Sequence, residues 1–60
     1  MKPHDRLLCI KEGVSVLGKK FIKNESYEIF RVFDRGVMLT NEGSNITIGE
    51  KELKKNFKVL

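Results

Sequence analysis

The chain has 60 residues, and its 12 Lys and Arg against 8 Asp and Glu give a formal net charge of +4. This length allows one domain with a small core and no second domain. A single cysteine excludes an intrachain disulfide and is typical of a reducing cytoplasm. The apolar run near the N-terminus has four residues, too few for a signal-peptide core or a membrane span, so we expect a soluble protein without membrane contact.

The first predicted strand covers residues 5–12, after a mobile tail at residues 1–4. Period-two alternation places Leu8 and Ile10 on one face and Leu7 and Cys9 on the other. We expect Leu8 and Ile10 in the core and Cys9 as a small buried hydrophobe.

Residues 13–20 predict a loop with a short extended piece, because Gly13 and Gly18 flank four residues and glycine disfavours a helix. Such loops often carry function. The glycine spacing differs from that of a phosphate-binding loop.

Residues 27–33 predict the central strand, because they are dense in aromatic and β-branched side chains. Residues 21–26 predict a tight turn before it. Asn24 lies at the centre of that turn, and Asn is the non-glycine residue that best tolerates the left-handed region.

Two further turns predict an antiparallel meander. The segments Asp34-Arg35-Gly36 and Asn41-Glu42-Gly43 each place an Asx residue two before a glycine, which suits a turn whose last position has positive φ. The first turn joins the central strand to a strand at residues 37–40, and the second joins that strand to one at residues 45–48.

Residues 50–56 predict one or two helical turns, with acidic residues first and lysines last, as the helix dipole favours. Leu53 faces inward, and Asn56 ends the helix in the left-handed region. Residues 57–60 predict a short final strand that buries Phe57 and Val59.

The turn before the central strand resembles the diverging turn of SH3 domains. Phe21, Asn24, Glu25, Tyr27 and Ile29 stand at the spacing of that motif, with Asn24 in place of its glycine. The resemblance implies that residues 1–60 form an all-β fold, a five-stranded antiparallel SH3-like barrel with a short helical turn before the last strand. It does not imply polyproline binding, because the chain has no tryptophan to build the aromatic grooves.

About nine tenths of the chain is similar to short proteins that are common in bacteriophage genomes. The similarity lies in Leu-Leu-Cys-Ile-Lys at residues 7–11, Gly-Lys-Lys-Phe-Ile-Lys-Asn-Glu-Ser-Tyr-Glu-Ile at 18–29 and Glu-Leu-Lys-Lys-Asn-Phe-Lys at 52–58. It implies an accessory protein in the cytoplasm of a bacterial host.

The residues indicate no enzyme and no cofactor. His4 lies in the tail, where nothing orients it as a base for Cys9. One Cys and one His supply two of the usual four metal ligands, so we expect no metal site.

The central strand carries more apolar residues than one face can bury. Tyr27, Ile29, Arg31 and Phe33 share one face, and Glu28, Phe30, Val32 and Asp34 share the other. One hypothesis is a bulge that changes the inner face of the strand and buries Val32 after Ile29. The other is an exposed aromatic patch, flanked by arginines, of the kind found in protein interfaces.

The second hypothesis defines the candidate sites. The contact residues of the patch are Phe30, Arg31, Arg35 and Met38, and a second candidate surface in the loop consists of Val14, Val16, Leu17, Lys19 and Lys20. The predicted function is stoichiometric binding of a host protein, which modulates or inhibits it. A basic barrel that binds single-stranded nucleic acid is the alternative, and a self-associating structural module is a second one.

The predicted core gives a first test. It consists of Leu8, Ile10, Phe21, Tyr27, Ile29, Leu39, Ile46, Ile48, Leu53, Phe57 and Val59. Ile48→Ala should lower the free energy of unfolding by ~2 to 5 kcal/mol, enough to unfold so small a domain. Chemical denaturation followed by far-UV circular dichroism measures this change, and a spectrum dominated by helix would contradict the all-β fold.

Overall fold

The computed structural model describes all 60 residues and consists mostly of antiparallel strands. In chain order the elements are β1 (Arg6–Cys9), β2 (Val14–Val16), β3 (Lys19–Phe21), β4 (Ser26–Phe33), β5 (Gly36–Asn41), β6 (Ser44–Gly49), α1 (Glu50–Asn56) and β7 (Phe57–Val59). Five strands form one sheet in the order β6-β5-β4-β1-β7, and β2 and β3 form a separate hairpin. The all-β class and the short helix before the last strand are confirmed. The five-stranded sheet is open, because β6 and β7 are both edges and do not pair with each other.

Strand β4 is shared between two partners. Its residues 26–28 pair with β1, and its residues 29–33 pair with β5. The register shifts between Ile29 and Arg31, so Phe30 is the extra residue of a β-bulge. Ile29 is fully buried where the three strands meet, and its amide and carbonyl bond to Asp5 O and His4 N, each at 2.8 Å.

The turn before β4 forms as predicted. Asn24 has φ 72°, in the left-handed region, and its amide donates to the Cys9 carbonyl at 2.7 Å. The Tyr27 hydroxyl accepts a hydrogen bond from the Ile22 amide at 2.8 Å. The Tyr27 ring packs edge-on against Phe21, with centroids 4.8 Å apart. These contacts tie the turn to the core at both ends.

The predicted inner face of β1 was wrong. Leu7 and Cys9 are buried, whereas Leu8 is half-buried and Ile10 is exposed beyond the end of the strand. The strand has four residues, not eight. Both faces of the strand carry apolar residues, so the local alternation does not determine which face points to the core. The pairing of Cys9 with Phe57, whose ring lies in the core, determines the inner face instead.

The predicted loop at residues 13–20 is a hairpin. Strands β2 and β3 pair from Val14↔Phe21 to Val16↔Lys19 around a turn in which Leu17 and Gly18 both have positive φ. The buried Asn41 side chain donates to the Lys20 carbonyl at 2.9 Å and so links this hairpin to the main sheet.

The two meander turns differ in the role of their glycines. Glu42 (φ 51°) and Gly43 (φ 79°) form a two-residue turn with positive φ at both positions, as the sequence predicts for Gly43. Gly36 does not have positive φ, which corrects the prediction for the first turn. A Cβ at Gly36 would clash with the Ile48 carbonyl oxygen and lie 3.2 Å from the Gly49 Cα. Close approach of β5 to β6 therefore requires this glycine.

Helix α1 has the predicted polarity but a different end. Glu50 and Glu52 lie in its first turn, Lys54 and Lys55 in its last, and Leu53 is buried. Asn56 is not left-handed, and the chain leaves the helix at the extended residue Phe57. Asn56 is buried because its side chain donates to Glu52 at 2.8 Å and its carbonyl accepts from the Ile10 amide at 2.8 Å.

The core contains seven of the eleven residues of the predicted set and four others. Its members are Leu7, Cys9, Val14, Phe21, Ile29, Val37, Leu39, Ile46, Ile48, Leu53 and Phe57, with Val16 and Tyr27 packed against them. Leu7 is buried in place of Leu8 and Ile10, Cys9 is buried as predicted, and Val14 and Val37 are additions. Val59, predicted to be buried, is 51% exposed near the chain end.

Substitution at Gly36 tests the close approach of β5 to β6. Gly36→Ala should lower the free energy of unfolding by ~1 to 3 kcal/mol, because the added methyl group overlaps a backbone carbonyl that cannot rotate away. Gly49→Ala is the matched control, since a Cβ there meets nothing within 4 Å and the change affects only the N-cap of α1, at a cost below about 1 kcal/mol. Urea denaturation of both variants measures the difference, and equal stability would contradict the clash.

Candidate functional site

The second half of β4 is exposed along its whole length. Phe30 is 51%, Phe33 39% and Val32 37% exposed, and Arg31 between them is exposed as well. The cause is topological: β1 pairs only with the first half of β4, so the second half has β5 on one edge and no strand on the other. We call residues Phe30–Phe33 the exposed β4 segment.

The outer side of this segment brings together part of the predicted patch. Arg31 and Met38 are direct cross-strand neighbours, and Phe30 precedes Arg31 at the bulge. Met38 is only half-buried. Arg35 is exposed in the turn at the end of the same hairpin, beyond the Phe33–Gly36 pair, where its carbonyl accepts a hydrogen bond from the Glu50 amide at 2.8 Å.

The two arginines are available to a partner. Glu28 is hydrogen-bonded to the His4 ring at 2.9 Å and Glu50 is paired with Lys54 at 3.1 Å, and neither contact involves Arg31 or Arg35. A guanidinium beside an exposed aromatic ring can stack and donate several hydrogen bonds at once. The outer side therefore combines an aromatic ring, a thioether and two free guanidinium groups, a composition enriched at protein interfaces.

The inner side of the segment opens into an apolar cleft of about 270 Å³. The bulge turns Val32 to the same side as Ile29, opposite the buried Val37, as the first sequence hypothesis predicts. Burial of Val32 was nevertheless wrong, because it lies at the open end of the core. Apolar side chains form most of the cleft lining, among them Met1, Val32, Phe33, Leu53, Phe57 and Val59.

The rim of the cleft is polar. Asp34, Glu50 and Lys54 contribute to its wall, and Lys54 is paired with Glu50 one helical turn away. An apolar floor with a charged rim is the usual form of a protein-binding pocket that excludes water from its centre.

The second candidate surface is smaller than predicted. Val14 is buried and unavailable to a partner, whereas Val16 is half-buried and packs against the core. Leu17 is 80% exposed at the tip of the β2–β3 hairpin, Lys19 is half-buried and Lys20 is exposed. Only the tip of this hairpin remains as a surface.

The other reactive side chains lie apart from these surfaces. The Cys9 thiol is fully buried and donates weakly to the Lys11 and Phe21 carbonyl oxygens at 3.3 and 3.7 Å. The His4 ring forms a hydrogen bond with the Glu28 carboxylate at the exposed side of β4. No group of three or more His, Cys, Asp and Glu side chains is arranged to hold a metal ion.

Sequence reasoning did not anticipate the cleft, although a signal was present. Two adjacent apolar residues, Val32 and Phe33, end β4 and cannot lie on one face of a strand. That pattern indicates apolar surface on both sides. The contributions of Leu53 and Val59 depend on where α1 and β7 pack, which the local pattern does not reveal.

No protein-family model, curated protein or solved structure matches this chain. The structure contains no helix with the length and apolar character that crossing a membrane requires.

The exposure of Phe30 predicts that its ring contributes little to folding. Phe30→Ala should change the free energy of unfolding by less than about 1 kcal/mol, because half of the side chain is in water. Phe57→Ala, which removes the same ring from the core, should cost ~3 to 5 kcal/mol. Thermal and urea denaturation compare the two. Unfolding of Phe30→Ala would show instead that Phe30 is part of the core.

Proposed function

We propose that this chain is a non-catalytic binding module that attaches to a cytoplasmic protein of a bacterial host through the exposed β4 segment. The observation that carries the proposal is the exposure of four successive strand residues, Phe30 to Phe33, three of which are apolar. Apolar surface in a strand costs solubility unless a partner covers it, and patches of this kind mark protein interaction sites.

The segment offers contacts on both of its sides. Phe30, Arg31 and Met38 supply an outer surface with Arg35 at its end, and the cleft beside Val32 can receive an apolar side chain of the partner. Aromatic and arginine side chains account for most binding energy at interfaces, and a pocket on the opposite side orients the partner. Binding at stoichiometric amounts would modulate or inhibit the host protein by covering part of its surface.

A protein partner fits the charges of the site better than single-stranded nucleic acid does. The net charge of +4 and the exposed Phe30 beside Arg31 favour nucleic acid. Asp34 in the cleft wall would repel phosphates, however, and the one lysine there, Lys54, is already paired with Glu50. Phosphate-driven binding weakens steeply with salt, whereas burial of apolar surface changes little. A salt titration therefore separates the two functions.

An SH3-like relationship is part of the proposal. The order β7-β1-β4-β5-β6, the bulged strand shared by two pairings and the helix before the last strand support it. The open edges of β6 and β7 differ from a closed barrel. Origin in a bacteriophage and a cytoplasmic location in the host rest on the sequence resemblance alone.

Affinity capture from a bacterial lysate tests the function when it is combined with matched variants. Phe30→Ala should weaken capture of the partner by ~2 kcal/mol or more, the scale of an interface hot spot. Leu17→Ala is the control, since it removes an exposed apolar side chain from the second candidate surface. Captured proteins should persist after nuclease treatment and at high salt.

Two results would contradict the proposal. Loss of all captured material on nuclease treatment would assign the surface to nucleic acid. Loss of the partner with Leu17→Ala, but not with Phe30→Ala, would place the site at the tip of the β2–β3 hairpin.

A further inference from the structure

Strand β6 has one edge without a partner. Its two-residue turn is closed by the pair Asn41↔Ser44, so Ser44 and every second residue after it exchange backbone hydrogen bonds with β5. The bond from the Glu50 amide to the Arg35 carbonyl, at 2.8 Å, continues the same alternation at the far end. The amides and carbonyls of Asn45, Thr47 and Gly49 therefore point away from the sheet, and all three residues are exposed.

This edge lacks the features that protect sheet edges from association. Natural edge strands are short, charged, bulged or interrupted by proline. The edge at β7 has three residues with Lys58 at its centre, and the unpaired edge of the exposed β4 segment carries the bulge and Arg31. Strand β6 has six residues without a charge or a proline, and its pairing with β5 is regular throughout. Its free edge is a template for another strand.

We propose that β6 pairs with β6 of a second copy in antiparallel orientation, around a two-fold axis through Thr47. In this register Thr47 lies opposite Thr47 of the second copy and Asn45 lies opposite Gly49. All three outward-facing residues of each copy then find a hydrogen-bonding partner, which no register shifted along the strand achieves. The two five-stranded sheets become continuous.

The sequence of β6 is self-complementary about that axis. Ile46 and Ile48 flank Thr47 symmetrically, so Ile46 of each copy lies opposite Ile48 of the other copy. The residue on a two-fold axis lies opposite the same residue of the second copy. Two threonines form a favourable cross-strand pair at that position, whereas two like charges would repel each other. Gly49 leaves open space for the Asn45 side chain, because nothing lies within 4 Å of its Cβ position.

A second copy fits this edge better than an extended peptide of another protein. Proteins that add a peptide strand obtain specificity from pockets beside the edge that accept alternate side chains. Ile46 and Ile48 close the inner face of β6, with 7% and 0% exposure, and no residue of β6 lines the apolar cleft. Backbone pairing without side-chain pockets selects for a self-complementary strand.

The pairing leaves the exposed β4 segment uncovered, since β5 separates it from β6. It is therefore independent of the proposed function, and a dimer would present the segment twice. Three hydrogen-bonded residue pairs make a small interface, so we expect association only at high protein concentration.

Sedimentation equilibrium over a concentration series tests the dimer, starting from a monomer mass of 6.9 kDa. Thr47→Lys should reduce the association constant by roughly tenfold or more, because two ammonium groups then stand opposite each other. Ser15→Lys is the control, as it places the same charge on an exposed position of the β2–β3 hairpin, away from β6. Thr47→Pro is a second variant: it removes the outward amide without touching the ladder to β5. Wild type and Ser15→Lys should dimerise alike.

Amide hydrogen exchange followed by NMR tests the register. The amides of Asn45, Thr47 and Gly49 should become protected as the concentration rises, whereas those of Ile46 and Ile48 are protected at all concentrations by β5. A monomer at every concentration would overturn the proposal. So would a dimer that survives both Thr47 variants, or one whose new protection lies in the exposed β4 segment. Protection of the edge only on addition of another protein would assign it to a foreign strand.

Discussion

Strand β4 has to serve two pairings, and the rest of the structure follows from that constraint. Its first half extends the ladder of β1, its second half extends the ladder of β5, and the bulge at Phe30 separates them. One inserted residue reverses the side on which every later side chain lies. Ile29 before the bulge and Val32 after it therefore face the same core, although they are three positions apart.

The bulge also explains why apolar surface remains outside. A chain of 60 residues encloses few side chains, and eleven apolar residues fill this core. Strand β1 ends its pairing before the bulge, so no element covers the last four residues of β4. Val32 lies on the inner side but at its open end, where Leu53 and Val59 form a cleft and do not close it. The features that make the fold possible thus also create the candidate binding surface.

The two outermost strands of the sheet, β6 and β7, differ in length and in charge. Strand β7 is short, and a lysine occupies its centre. Strand β6 is twice as long, and Gly36 lets β5 and β6 approach closely at the last pair, Gly36↔Gly49. A side chain at Gly36 would force the strands apart there and remove that pair from the regular edge. One glycine, required for packing and not for its φ, accordingly extends the unprotected strand to its last residue.

Local sequence chemistry determined the elements whose signals lie within a few residues. The left-handed Asn24, the two-residue turn at Glu42 and Gly43, the polarity of α1 and the alternation of Ile46 and Ile48 all depend on neighbours along the chain, and the sequence predicts them correctly. The exposed Phe30 and its neighbour Arg31 were also identifiable, because β4 carries more apolar residues than one face can bury.

Only the tertiary structure decided the remaining features, because they depend on contacts between distant residues. The inner face of β1 follows from its pairing with Phe57, since both of its faces are apolar. The burial of Val14 and Val16 requires the β2–β3 hairpin to fold onto the core. The requirement for Gly36 comes from the Ile48 carbonyl, twelve residues away, and the cleft requires α1 and β7 to lie beside the end of β4. A period of two in the sequence states that a strand has two faces, but only its partners determine which face is buried.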